Sequence, residues 1–377
     1  MQCARFILLP LAFLVVSCGE ETNTPYEIPL LQMTTPTSAT LVWETERKEP
    51  ACLTLELEGQ PATRETTCYP SDTLHELVLT GLQPATHYRY EIAGVKPDKT
   101  EENPLPVTSH TFRTPDEATK PFAFGVMGDS HGKVDVLVQL LTAATLPGPR
   151  RMPIDFLLHV GDAVEDGGHA TYFTDLIEPG RAVFDGLPLY AAMGNHEEDS
   201  DWFYHYHAYP GREDYYAFTH GNTFFVVLNT NKDYTSSSKQ YHWLVQRLAS
   251  PEAARATWRV VSFHHPPYGQ GWGPCGDFTG DADAQEYLVP LFERQRVDLV
   301  FNGHVHGYER GSRQGVTYVT TGGGGGGLDH HCQSWDHIAV AKYAHHHVRV
   351  EIDGERLWLR AVGLDGQLLD QLQLRAH

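Results

Sequence analysis

Basic residues are scarce in this chain: 28 Lys and Arg stand against 48 Asp and Glu, for a formal charge of −20. No general basic surface can form, which argues against a protein that wraps nucleic acid along its backbone. An acidic chain still takes a phosphate group where metal cations supply the positive charge. Long apolar runs are also missing. Phe6 to Val16 is too short to span a bilayer comfortably, and no later apolar stretch is long enough to cross one as a helix. What remains is ordinary globular composition, 41% hydrophobic and 20% charged, over 377 residues, which fits two domains better than one. Histidine is plentiful at 22 residues, and several stand beside Asp or Asn in Gly-rich turns, where metal ligands are expected.

The first residues read as an export signal, with Arg5 as the positive start and Phe6 to Val16 as the apolar run. The run ends in Val15-Val16-Ser17-Cys18, which resembles a bacterial lipoprotein signal whose Cys becomes the lipidated first residue. Residues 1–17 are then the lipoprotein signal peptide; the alternative is a plain secretory signal with an incidental Cys. A lipoprotein would be exported and held by its acyl chains alone, at the outer membrane, in the periplasm or on the cell surface. Cys52, Cys68, Cys275 and Cys332 then remain, an even number in an exported protein. Cys52 and Cys68 flank a turn at Gly59-Gln60-Pro61, so a hairpin there sets them opposite each other. A Cys52–Cys68 bridge is predicted, and with it Cys275–Cys332.

Residues 24–114 read as short strands between turns, including 39–43, 52–57, 74–79 and 88–92, which argues for a β-sandwich. Trp43 belongs in its core rather than on a binding platform. Leu82 to Tyr88 resembles the turn and tyrosine corner of fibronectin type III modules. Residues 115–121 look like a linker to a second domain, 121–377.

There the pattern changes to α/β. Helical spacing appears at 133–146, 239–250 and 283–296. Apolar runs at 122–127, 155–160, 187–193, 258–263 and 297–301 are plausible buried strands, and each is followed at once by a candidate ligand. Open α/β sheets place their sites beyond the carboxyl ends of strands. The runs deliver Gly128-Asp129-Ser130-His131, Gly161-Asp162, Gly194-Asn195-His196-Glu197, His264-His265-Pro266 and Asn302-Gly303-His304-Val305-His306. Any one of these is weak, but the ordered set points to one polar site. Asp162 has two carboxylate oxygens and can bridge two metals. The Asn195 amide oxygen is a neutral hard ligand. Mixed imidazole and oxygen donors suit iron, manganese, zinc or cobalt rather than calcium. The six-glycine run Gly322 to Gly327 reads either as a flexible linker or, from its place after a strand, as a loop close to the metals. The chain closes with 347–352 and 356–361, a hairpin that completes the second sheet. His345-His346-His347 reads as surface.

This set resembles the calcineurin-like metallophosphoesterase superfamily. The stretch NGHVHGYER, Asn302 to Arg310, with the preceding fibronectin-like module, resembles its purple acid phosphatase branch. The resemblance implies a four-layer α/β/β/α catalytic domain and two transition-metal ions, iron, zinc or manganese. Asp129, His131, Asp162 and His306 would bind the first, and Asp162, Asn195, His264 and His304 the second. It further implies hydrolysis of phosphate monoesters by a hydroxide that bridges the metals, on a small phosphorylated substrate contacted by Asn195 and His196. His196 would protonate the leaving group, or else serve structurally behind the ligands. Glu165 would orient His196, or else be a solvated loop acid. His265 is either a phosphate contact or a loop-packing residue. Tyr308 and Arg310 read as structural. The branch places a Tyr three residues after the bridging Asp, where this chain has Glu165, and it lacks His131, so a colourless enzyme is expected. A phosphodiesterase or nucleotide hydrolase with the same site is the rival reading. A binding lipoprotein with a relict site is the reading from another class.

Overall fold

The computed structural model describes residues 28–94, 108–117, 120–146 and 152–376. The expected export signal and the expected lipid site, Cys18, lie outside the described residues. The N-terminal unit is built from β1 (Leu30–Thr35), β2 (Ser38–Leu57), β3 (Gln60–Thr80), β4 (His87–Gly94) and β5 (Thr108–Arg113). Of the short strands expected from the sequence, 39–43 and 52–57 merge into β2, 74–79 lies at the end of β3, and 88–92 lies in β4. Strand β2 runs through register shifts between Glu44 and Ala51, so its first half pairs with β1 and the end of β3, and its second half with β4 and the start of β3. The two halves face each other across one core of Leu31, Leu41, Trp43, Leu53, Leu79, Tyr90 and Phe112. Alternation with period two puts one side chain in two into that core. Trp43 is buried there, as expected. The Gln83 N–H donates to the Tyr88 hydroxyl at 2.7 Å, which is the tyrosine corner. Cys52 and Cys68 are register partners and are bridged, and Cys275 is bridged to Cys332.

The second unit contains β6 (Phe122–Met127), β7 (Phe156–His159), β8 (Leu189–Ala191), β9 (Tyr216–His220), β10 (Thr223–Val227), β11 (Trp258–Ser262), β12 (Leu299–Asn302), β13 (Tyr308–Arg313), β14 (Val316–Thr321), β15 (Ile338–Lys342), β16 (His346–Asp353), β17 (Arg356–Gly363) and β18 (Leu368–Arg375). They form two sheets, ordered β18-β17-β16-β6-β7-β8 and β15-β13-β14-β12-β11-β10-β9. The central strands of each are parallel and buried on both faces, which explains their continuous apolar runs. The sheets meet through aromatic rings, with Phe124 edge-on to Phe225 at 5.3 Å and Phe156 edge-on to Phe225 at 5.4 Å. Helix Val134–Thr145 covers one outer face through Leu137, Leu140 and Leu141. Helices Lys239–Leu248 and Val289–Arg294 cover the other through Leu244, Leu248, Leu291 and Phe292. Ser238 caps the first of these two by accepting from the Tyr241 N–H at 3.0 Å. The result is the four-layer α/β/β/α arrangement.

Two expectations need correction. The C-terminal hairpin, β16 with β17, pairs with β6 and so extends the sheet that β6 opens, with a further strand, β18, outside it. His346 and His347 are not surface residues; both are buried at the start of β16. The two units are fastened by polar contacts. Gln32 donates to the Tyr206 carbonyl and accepts from the Ala208 N–H at 2.8 Å, and the Tyr90 hydroxyl donates to the Asp185 carbonyl at 2.6 Å.

Candidate metal centre

The parallel strands of both sheets end on one edge, and the loops that follow them converge there. Asp129 follows β6, Asp162 follows β7, Asn195 and His196 follow β8, His264 follows β11, and His304 and His306 follow β12. Three of these residues sit in the left-handed region that non-glycine residues rarely adopt: Asp129 at φ +55°, Asp162 at +55° and His304 at +69°. Backbone bonds hold these turns. The Asp129 N–H donates to the Gly161 carbonyl and the Ser130 N–H to the Asp162 carbonyl, each at 2.9 Å.

The side chains close on one another. Asp162 Oδ2 lies 3.1 Å from His264 Nε2, and Asp129 Oδ1 lies 3.5 Å from His306 Nε2. Asn195 Oδ1 is 3.0 Å from both His264 Nε2 and His304 Nδ1. His264 Nδ1 donates to the Val160 carbonyl and His306 Nδ1 to the Gly327 carbonyl, which leaves each Nε2 turned inward. His131 Nδ1 meets the Glu165 carboxylate at 2.9 Å, and its Nε2 is buried with no hydrogen-bond partner, as is Asp129 Oδ2. Buried polar atoms without partners are costly, and here they belong to two of the best donor types for a transition metal. Ligand atoms of Asp129, Asp162 and His264 lie within 4.8 Å of one another, as do those of His264, His265 and His304 and those of His131, Glu165 and His196. The donor set therefore fits metal ions. All the ligand positions expected from the sequence come together.

The electrostatics point the same way. Burial works against the charged form of His264, but the Asp162 carboxylate outweighs it and holds this imidazole up to about 9. Burial also opposes the charge on His306, yet its bond to Asp129 holds it up to about 9. Each raised imidazole contributes stability to the metal-free fold that is complete below about 6.5 and is lost as pH rises through about 9. A cation at these atoms must displace those protons, so affinity weakens as pH falls through that window. Burial and the neighbouring His264 push His265 down to about 3, and burial with His264 and His265 pushes His304 down to about 2, so both stay neutral and able to ligate.

Glu165 takes a different part from the expected one. Its carboxylate holds His131, while His196 Nδ1 donates to the Glu165 backbone carbonyl at 2.7 Å. His196 is thus oriented by residue 165, but through the main chain. His265 receives a partner that the sequence did not name: Thr230 Oγ1 lies 2.9 Å from its Nδ1 and accepts from its N–H at 3.1 Å. That leaves Nε2 of His265 for a ligand or substrate.

One residue of the third motif carries the site without having been assigned a role. Glu197 is buried, and its carboxylate accepts from the N–H groups of Asp162 at 3.0 Å, Ala163 at 2.7 Å and Gly194. It clips the Asp162 loop to the Asn195 loop. Burial and the nearby Asp162 push it up to about 7, a repulsion that a cation on Asp162 would relieve. The six-glycine loop packs against the ligands, as its position implied. A Cβ on Gly322 would lie 2.7 Å from Asp129 Oδ2, and one on Gly326 would lie 2.6 Å from the His306 ring. Buried His346 braces this loop from behind, its N–H donating to the Gly323 carbonyl at 3.1 Å and its Nε2 meeting Thr321 Oγ1 at 3.0 Å. Tyr308 and Arg310 are structural, both bonded to Asp370 of β18.

Residues 122–308 match the calcineurin-like phosphoesterase family, and the matched stretch contains every ligand position described above. The chain therefore carries a calcineurin-like phosphoesterase domain. Purple acid phosphatases are among the proteins it is similar to. Purple acid phosphatase 22 of Arabidopsis thaliana is 30% identical over 263 residues, covering 65% of this chain and 55% of that protein. Purple acid phosphatase 18 of the same plant is 28% identical over 277 residues, covering 68% and 57%. The chain thus spans little more than half the length of these relatives. Among solved structures, a purple acid phosphatase from yellow lupin (Lupinus luteus) seeds superposes with a TM-score of 0.79 at 17% identity, over 93% of this chain and 75% of that one. PhoD superposes with a TM-score of 0.66 at 13% identity, over 92% and 90%. These two likenesses concern the fold alone.

Proposed function

We propose that the chain is a phosphatase that hydrolyses phosphate monoesters with two transition-metal ions, iron, zinc or manganese, which share Asp162. The observation that carries this reading is the pair of unpartnered buried atoms, His131 Nε2 and Asp129 Oδ2, inside a ring of inward-facing donors. Asp129, His131, Asp162 and His306 would hold one ion, and Asp162, Asn195, His264 and His304 the other. When bound, the ions supply charge neutralisation for the phosphate and activation of a water. The protein supplies the rest. His264, His306 and His131 are each fixed through one ring nitrogen, so the other is aimed without further ordering. His196, half-buried and fixed at Nδ1 by the Glu165 carbonyl, turns Nε2 to the substrate and delivers a proton to the leaving oxygen. His265 Nε2 is set for a phosphate oxygen. With Glu165 on His131, position 165 offers no phenolate to a metal, which supports a colourless enzyme.

The test compares an alkyl monoester, an aryl monoester and a diester on protein reloaded with each metal. Monoesters should turn over faster than the diester; the reverse order would favour the phosphodiesterase reading. His196→Ala should lower kcat for the alkyl monoester by roughly 100-fold. The aryl monoester, whose leaving group hardly needs a proton, should lose much less. Equal losses on both would remove His196 as the proton donor.

Export and lipid anchoring at Cys18 accompany this proposal, supported by the apolar run before it. The mass of the N-terminal peptide of the mature protein checks it, since an unmodified N-terminus beginning elsewhere would contradict the anchor.

A further inference from the structure

One side of the metal centre carries aromatic rings. There Trp272 lies 5.0 Å from the His304 ring at a tilt of 41°, and Phe278 lies 4.8 Å from the same ring and 4.8 Å from Trp272. These rings sit on the segment between β11 and the helical stretch that begins at Ala284, much of it exposed. An exposed segment would normally let such rings drift, yet this one is tied down repeatedly. The buried Glu309 carboxylate accepts from the Gln270 N–H at 3.0 Å and the Gly271 N–H at 2.8 Å. Gly271 bridges to His331, the Trp272 N–H donates to the His330 carbonyl at 3.0 Å, and Cys275 is bonded to Cys332. Gly276 folds over the indole so closely that a Cβ there would lie 2.9 Å from its ring.

Holding His304 does not require this. Its N–H already donates to Asp129 Oδ1 at 2.8 Å, its Nδ1 faces Asn195, and the His265 ring packs against it at 4.4 Å. Trp272 itself is half-buried rather than buried, beside the donors that would hold a phosphate. A rigid, partly open indole next to a phosphate site is a stacking surface for a planar ring.

We propose that Trp272, backed by Phe278, is a specificity-determining residue that stacks on a planar aromatic group in the leaving portion of the phosphate ester. This rests on the phosphatase reading and narrows its substrate class to aromatic monoesters, whether nucleotides or aryl-bearing alcohols. Two matched pairs separate ring recognition from leaving-group chemistry: adenosine 5′-monophosphate against ribose 5-phosphate, and benzyl phosphate against cyclohexylmethyl phosphate. Within each pair the departing oxygen is a primary alkoxide, and only the ring differs. The aromatic member of at least one pair should have a kcat/KM about tenfold higher. Trp272→Ala should bring that ratio close to one, and Trp272→Phe should keep most of it. The pair that responds shows whether the ring is a nucleobase or an aryl group. The same pairs are titrated calorimetrically against metal-loaded His196→Ala protein with and without Trp272→Ala, which reads binding whether or not turnover occurs. Ratios near one in both pairs, or ratios that Trp272→Ala leaves unchanged, would overturn the proposal. A binding preference that depends on Trp272 in a protein that hydrolyses none of the four would uphold it and overturn the phosphatase reading instead.

Discussion

Asp162→Asn should lower kcat/KM on a phosphate monoester by about 1,000-fold or more, ~4 kcal/mol of barrier. The reason lies in the position of this carboxylate. Asp162 is buried, its Oδ2 faces His264 and its Oδ1 accepts the His196 N–H at 2.8 Å. An amide keeps the shape but removes the charge and one acceptor oxygen. If two ions share this side chain, its loss affects both. The backbone turn should survive, because it is held by main-chain bonds between Gly161, Asp162, Asp129 and Ser130 rather than by the carboxylate. The variant should therefore fold, bind less metal and fail to turn over. Activity within tenfold of the parent, measured by phosphate release at saturating manganese, would show that Asp162 is not shared.

Glu197→Ala should cost stability as well as activity, by roughly 3–5 kcal/mol, since three N–H donors lose a charged acceptor. The donors are those of Asp162, Ala163 and Gly194, on two separate loops. Without the clip these loops are still joined by the Asp162 carboxylate on the His196 N–H, but the metal ligands they carry lose part of their spacing. Metal affinity should fall about 10- to 100-fold, as for other groups that act behind the ligands. Melting followed by circular dichroism, with a metal titration on the folded protein, checks both effects. An unchanged melting temperature would mean that water replaces the carboxylate without cost.

Much of the fold was legible because the central strands of the catalytic unit are buried on both faces and so appear as unbroken apolar runs. The run 122–127 became β6 with the same limits. The hairpin that joins Cys52 to Cys68 was legible from its turn and its symmetry. The length of β2 was not, because the shifts near Glu44 to Ala51 change its partners partway along, and local sequence registers that only as a break. Strand β18 alternates exposed and half-buried residues at a sheet edge and gives a weak periodic signal. The ligand positions were legible because each follows a strand directly. The direction of Glu165 was not, since both His131 and His196 lie within its reach once two distant loops meet, and only the assembled site shows the carboxylate on one and the carbonyl on the other. The burial of His346 and His347 was hidden for a similar reason. A run of three histidines looks polar, but Thr321 and the glycine loop supply partners and cover for His346.

The central claim is that two cations lie on one shared carboxylate and that both are needed for hydrolysis. The direct measurement is to strip the protein with a chelator, titrate manganese, zinc or iron back, and follow bound metal and phosphate release together. Activity that climbs to a plateau at about two ions per chain, in line with a two-metal site, is the predicted result. A plateau at one ion per chain, or no turnover with any of the three metals, would contradict it.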